Sequence, residues 1–175
     1  TTWPRRSRLG LTLTLTLKLT LTLTLKASTT RYYHPTENRL MLPIHDVRGR
    51  VIAFGGRILT AKDGAPKYLN SPETPLFDKG RTLYNIHRAS PAARKSDRIV
   101  VVEGYMDVIA LANAGIAEGV APLGTALTEN HIAELWRHVP CPILCFDGDA
   151  AGQRAVRRAI ERALPLLKPG HSLKI

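Results

Sequence analysis

The sequence predicts an α/β fold: a mainly parallel sheet with flanking helices over residues 98–175, preceded by a small basic α+β subdomain over residues 31–97. Two observations carry that expectation. Beyond Ser96, β-branched runs alternate with apolar-periodic stretches of helix length, the pattern of a parallel sheet wound by right-handed crossovers. Ahead of it, short apolar runs are separated by turn formers, as in hairpins. A chain of 175 residues with 44% hydrophobic content has room for one ordinary domain or two small subdomains with a core. Its 13 glycines and 12 prolines are near average usage, which excludes collagen-like sequence and wholesale disorder.

Residues 1–30 stand apart as low-complexity sequence. From Leu9 to Leu25, leucine alternates with Thr, Lys or Gly, a period of two that gives an extended chain one apolar face but scatters leucines around a helix. The interleaved threonines disfavour a membrane-spanning helix and deny a signal peptide its contiguous apolar centre. Such a repeat has no unique register, so disorder and self-pairing both remain open. We assign the segment no function and expect it to be foreign to the domain that follows.

In the basic part, Arg39 to Asp46 (RLMLPIHD) and Arg50 to Leu59 (RVIAFGGRIL), joined by Val47-Arg48-Gly49, read as a hairpin. Pro43 marks an edge or a bulge. Lys67 to Thr74 (KYLNSPET) reads as a polar loop projecting a base, followed by Asp78-Lys79-Gly80-Arg81 and a short helix over Ile86 to Lys95.

Arg98 to Val102 (RIVVV) is a strand of the kind buried on both faces. Glu103-Gly104-Tyr105-Met106-Asp107 then leads into a helix through Ala114 that Gly115 stops. Gly119 to Leu123 forms a second strand and Gly124-Thr125 a turn. Thr128 caps a helix to about His138, with Glu129 in its first turn. Cys141 to Phe146 is a third strand. A long helix follows Asp147-Gly148-Asp149, with Ala151, Ala155, Ala159, Ala163 and Leu167 as its inward stripe and Arg154, Arg157, Arg158, Glu161 and Arg162 largely off it. Ser172 to Ile175 starts another strand. Cys141 and Cys145 share one strand face and read as buried small hydrophobes in a reducing compartment, since no second pair completes a zinc site.

The net charge of +11 is uneven: residues 31–98 carry thirteen basic side chains against six acidic ones, residues 99–175 seven against eight. A basic surface beside well-placed carboxylates suits a polyanion handled with metal ions; a solvated basic face is the plainer alternative. The carboxylates sharpen the choice. Ligands of open parallel sheets bind outside the carboxyl ends of the strands, where Glu103 follows one strand and Asp147 and Asp149 another. If those strands are neighbours, three carboxylates converge and need a cation. Hard oxygen donors without histidine or thiolate point to Mg²⁺ or Mn²⁺, the ions of phosphoryl transfer. Gly104 and Gly148 would let the backbone turn sharply, and Gly152 would let the last helix start close to the sheet. Asp149 equally reads as a helix cap.

Arg57, Lys67, Lys79 and Arg81 could contact phosphates, with Tyr68 a stacking face and Asn70 and Ser71 hydrogen-bonding groups. His34, His45, His87, His131, His138 and His171 are scattered without ligand spacing and read as surface or satisfied core residues.

Together, VVVEGYMD at residues 100–107 and DGDAAG at residues 147–152 resemble the Toprim signature as it occurs in bacterial DNA primases. Pro43-Ile44, GRVIAFGGR at 49–57 and KYLNSPET at 67–74 resemble the basic subdomain preceding Toprim in that family. The resemblance covers roughly Arg31 to Ile175. It implies catalytic and metal-binding positions at Glu103, Asp147 and Asp149, with Gly104 and Asp107 supporting them. It implies a template- and nucleotide-contacting surface at Arg57, Lys67, Tyr68, Asn70, Ser71 and Lys79, and a bordering loop at Gly124-Thr125. The activity implied is synthesis of short RNA primers on single-stranded DNA from ribonucleoside triphosphates, with Mg²⁺ or Mn²⁺, in the bacterial cytoplasm and away from any membrane. The family's zinc-binding domain, its region that binds the replicative helicase and a further acidic pair after the next strand are not matched in this chain, so the metal cluster is expected to be incomplete. Rival readings are a non-catalytic single-stranded nucleic-acid-binding fragment, another Toprim enzyme such as a nuclease or topoisomerase, and self-association through the Leu/Thr repeat. Tyr105 is a poor topoisomerase nucleophile because the turn packs it.

Overall fold

The computed structural model describes residues 38–60 and 64–175; the Leu/Thr repeat and His34 lie outside the described residues. Strands β1 (Arg39–His45) and β2 (Val51–Ile58) pair antiparallel as the hairpin expected, with Gly49 at φ 80° in the turn. Asp46 closes that turn: its carboxylate accepts the Arg48 and Arg50 backbone N–H groups, each at 2.9 Å. Among the described residues Pro43 lies on an edge strand, and the register shifts between Ile44 and His45, so the missing N–H falls where a ladder tolerates it. The segment read as a polar loop contains a third strand, β3 (Tyr68–Asn70), on the other side of β2. Its three residues are too few for periodicity to register among turn formers.

Helix α1 (Ile86–Ser96) leads into the parallel sheet of β4 (Val100–Val101), β5 (Gly119–Val120) and β6 (Ile143–Leu144), ordered β5-β4-β6. The ladders are shorter than the apolar runs that hold them. Ile99 and Val101 face a core with residues of α1, of α3 (Glu129–Trp136) and of α4 (Ala150–Ala163). Val100 and Val102 face a second cluster with Val108 of α2 (Tyr105–Asn113). Both faces of β4 are therefore covered, which explains a run without alternation. Gly115 ends α2 at φ 82°. Ser172 and Lys174 donate backbone N–H to Pro140 and Pro142 carbonyls, each at 3.0 Å, so the last residues run parallel beside β6 as expected.

The inward stripe of α4 holds at Ala159 and Ala163, with Gly152 buried beside them, but Ala151 and Leu167 are exposed. An i, i+4 series drifts about 40° per step on a 3.6-residue helix, so its ends rotate off the core face. Cys145 is exposed and Cys141 half-buried, against the expectation of two buried thiols. That face of β6 is only partly covered, whereas Pro142 and Leu144 on the other are buried. Gly104 sits at φ −151° and Gly148 is not among the glycines with positive φ, so neither needs glycine's conformational freedom.

His131 is the histidine that departs most from an ordinary surface group. Its Nδ1 accepts the Thr128 N–H and Thr128 Oγ1 accepts the His131 N–H, both at 3.2 Å, a reciprocal cap at the start of α3. The ring is fully buried, and among the described residues Nε2 meets no partner at full hydrogen-bond geometry. Burial lowers its pKa to about 4, while the nearby Lys79 and Thr82 carbonyls pull the other way. The unfolded chain thus binds a proton that the folded one refuses between pH 6.5 and about 4. Stability should fall as pH drops through that window, by on the order of 3 kcal/mol at its acid end. Urea midpoints at pH 7 and pH 4.5 check this, and His131→Gln should flatten the difference.

Candidate active site

The parallel sheet creates a crevice where its winding reverses. The helix after β4 packs on one face and the helix after β6 on the other, so the loops leaving these two neighbouring strands diverge and open a gap at their carboxyl ends. Glu103 and Asp147 stand on the two sides of that gap. Glu103 Oε1 accepts the Asp147 backbone N–H at 3.0 Å, which fixes one carboxylate against the turn that carries the other.

A cleft of about 400 Å³ opens there. Its sheet side is lined by Glu103, Gly104, Tyr105, Met106, Asp107, Pro122, Gly124 and Asp147, and its basic side by Lys67, Tyr68 and Asn70. Three acidic side chains thus face one cation and one aromatic ring across a shared space. Asp107 is held by accepting the Gly104 N–H at 3.0 Å. Tyr68 is 43% exposed, meets Tyr105 edge-on at 5.4 Å, and has the Lys67 Nζ at 5.6 Å and the Arg57 Cζ at 5.9 Å from its ring centre. These contacts hold the ring in place while leaving it available for stacking.

The other sequence-nominated residues lie elsewhere. Asp149 caps α4, accepting the Ala151 and Gly152 N–H groups at 2.9 and 2.8 Å, and is not part of the cleft wall. Ser71 is tied to Phe54, its hydroxyl accepting the Phe54 N–H at 3.0 Å and donating to the Phe54 carbonyl at 3.2 Å. Arg57 reaches the cleft only through the Tyr68 ring, and Lys79 and Thr125 do not line it. Among the described residues, no three of the His, Cys, Asp and Glu side chains group closely enough to enclose a metal ion.

Sequence reasoning missed Tyr105 as a wall and Met106 and Pro122 entirely. Pro122 was findable, because it follows the second strand at the same carboxyl edge. Tyr105 is 5% exposed and joins Leu42, Ile44, Ala53, Phe77 and Leu123 in a core shared by the antiparallel sheet and the crevice loops. Burial, with Tyr68 and Tyr84 adding to it, raises its pKa to about 12. The phenol stays neutral and enclosed at physiological pH, as a nucleophile would not.

Asn70 joins the two walls, its Nδ2 donating to the Leu123 carbonyl at 3.0 Å. Gly55 leaves room for this, since a Cβ there would lie 3.0 Å from both Asn70 Oδ1 and Tyr105 Cε1. Asn70→Ala should cost about 1 kcal/mol by removing that bond. Asn70→Asp should cost more, because a carboxylate oxygen would then face the Leu123 carbonyl. Thermal melts of the two variants check the order.

A parallel sheet with acidic loops at its crevice and a basic antiparallel subdomain across the cleft defines a Toprim protein of the primase type. The Toprim domain family matches residues 97–175, and the N-terminal domain of the DNA primase catalytic core matches residues 11–90, reaching back into the Leu/Thr repeat. The DNA primase of Neisseria meningitidis serogroup A is 53% identical over 143 residues, covering 82% of this chain and 24% of that protein. A crystal structure of a DNA primase domain from Pseudomonas aeruginosa is 56% identical with a TM-score of 0.73, covering 78% of this chain and 42% of that one. A DnaG primase catalytic domain bound to single-stranded DNA is 51% identical with a TM-score of 0.71, covering 78% and 42%. The chain belongs to the bacterial DNA primase family and spans about a quarter of the length of relatives such as the Neisseria protein. No helix among the described residues is long and apolar enough to cross a membrane.

Proposed function

We propose that this chain supplies the acidic edge and the basic wall of an active site that synthesises RNA primers on single-stranded DNA. The observation carrying the proposal is the shared cleft in which Glu103, Asp107 and Asp147 face Lys67 and the Tyr68 ring. The donor chemistry fits a hard divalent cation. Mg²⁺ is usually held by one or two carboxylates, its own waters and substrate phosphates, so Glu103 and Asp147 suffice on the protein side without a closed cage. When bound, such an ion activates an attacking hydroxyl and offsets charge on the phosphate. On the other wall Lys67 and Arg57 attract phosphates, Tyr68 stacks a base, and Asn70 keeps the walls in register. Asp107 steadies the start of α2, and Asp149 steadies the start of α4.

The reading assigns residues 31–97 to a basic subdomain and residues 98–175 to the Toprim part, with residues 1–30 outside both. It sets the protein in the bacterial cytoplasm, with ribonucleoside triphosphates and single-stranded DNA as partners and the replicative helicase meeting regions beyond this match. Supporting it, a structural neighbour is a primase catalytic domain holding single-stranded DNA. A second reading, strand binding without chemistry, is favoured by the absence of a three-ligand cluster among the described residues. Mn²⁺ titration followed by electron paramagnetic resonance, paired with anisotropy of a labelled oligothymidylate, separates the two. Under the proposal, Glu103→Gln weakens Mn²⁺ binding and spares DNA, while Lys67→Ala does the reverse. A chain that binds DNA but shows no Mn²⁺ site sensitive to Glu103 contradicts it.

A further inference from the structure

We propose that the outer face of α4 is a second contact for single-stranded nucleic acid, in which Arg154, Arg157 and Arg158 hold strand phosphates beyond the cleft. The inference rests on the cleft reading above and extends it. Residues 99–175 are nearly neutral overall, yet four of their seven Lys and Arg residues fall within Ala150–Ala163. Arg154, Arg157 and Arg158 are exposed on the side opposite Ala159 and Ala163, which are 1% and 4% exposed in the core.

Other arginines of this half have partners. Arg137 pairs with Glu134 at 3.0 Å, and Arg162 donates to the Leu127 carbonyl at 2.6 Å. Among the described residues the three outer ones have no hydrogen bond or ion pair, although Glu161 lies within one turn of Arg157 and Arg158. Like charges three and four residues apart repel, so a helix presenting three of them is matched by a polyanion that neutralises them together. Guanidinium forks fit phosphate oxygens two at a time. The opposite face of α4 is buried in the core, so the helix lacks the free apolar side that membrane insertion needs.

Position adds continuity. The helix begins three residues after Asp147, which lines the cleft, and Arg154 follows the Asp149 cap by about 7.5 Å of helix rise. A strand held in the cleft and longer than its few nucleotides would meet this face next.

The test compares a short oligothymidylate of about six nucleotides with one of about twenty-five, lengths below and above a typical single-strand site. The full chain is used, with Arg154→Gln, Arg157→Gln and Arg158→Gln combined, a change that keeps helix propensity and is checked by circular dichroism. The expected result is at least about tenfold weaker binding of the long strand at low salt and a salt slope smaller by about 2, as for three lost phosphate contacts. Binding of the short strand should not change, and the triple Lys version should keep the slope. Unchanged affinity and slope on the long strand overturn the proposal while leaving the cleft reading intact. So does equal weakening of both lengths, or loss of binding to anionic lipid vesicles with DNA binding unchanged. Lys67→Ala is the independent check: it weakens both lengths if the cleft reading holds. If it changes neither, the cleft reading fails, and a strip effect without it overturns the continuity proposed here.

Discussion

Gly152→Ala should destabilise the carboxyl edge of the sheet more severely than its single added methyl suggests. A Cβ at Gly152 would collide with the Asp147 carbonyl oxygen and stand 2.8 Å from the Asp147 carbonyl carbon and 3.0 Å from its nitrogen. All three are backbone atoms, so no rotamer change relieves the overlap. Either the first turn of α4 moves away from the sheet or the Asp147-Gly148-Asp149 turn shifts, and with it the amide that Glu103 accepts. Overpacking a filled site costs about 1–3 kcal/mol and occasionally more; a clash with fixed backbone belongs at the top of that range, about 3 kcal/mol. Gly148→Ala is the matched control, since nothing lies within 4 Å of a Cβ there. Denaturant midpoints at unchanged m-value measure both. A Gly152→Ala chain as stable as the Gly148→Ala chain would show that the edge is looser than this packing.

Under the proposed function, Glu103→Gln should leave the fold intact and weaken the chemistry. The amide carbonyl of glutamine can still accept the Asp147 N–H, so the 3.0 Å contact across the gap survives. What is lost is one of three negative charges facing the cleft. Removing one electrostatic group at a reacting centre typically lowers turnover by about 10²–10³-fold, and a comparable fall in metal-dependent ribonucleotide incorporation is expected here. Melting temperature and oligothymidylate affinity should stay near those of the parent chain. If the fold melts instead, Glu103 acts chiefly as a tie between strands.

The parallel half was legible because its residues obey one rule each. Val100 to Val102 are apolar on both faces since helices cover both, Thr128 is a cap with its side chain in place, and Gly152 is a glycine because Asp147 occupies its Cβ position. What the sequence hid depends on contacts between distant segments. β3 is three residues whose pairing comes from β2, and Tyr105 lies in the signature while its ring packs among residues from β1, β2 and the loops. His131 looked like any helical histidine, because its burial comes from residues that surround it only in the fold. Asp149 carried two readings from the start, and its hydrogen bonds are those of the cap.

Primer synthesis is the most direct test of the catalytic reading, made by exchanging residues 31–175 into the matching place in the Pseudomonas aeruginosa primase, whose domain shares 56% identity and this fold. The proposed function predicts that the chimera makes RNA on single-stranded DNA from ribonucleoside triphosphates with Mg²⁺ or Mn²⁺, and that Glu103→Gln in the exchanged segment lowers this by about 10²–10³-fold. A folded chimera that binds single-stranded DNA yet makes no RNA with either ion would contradict it.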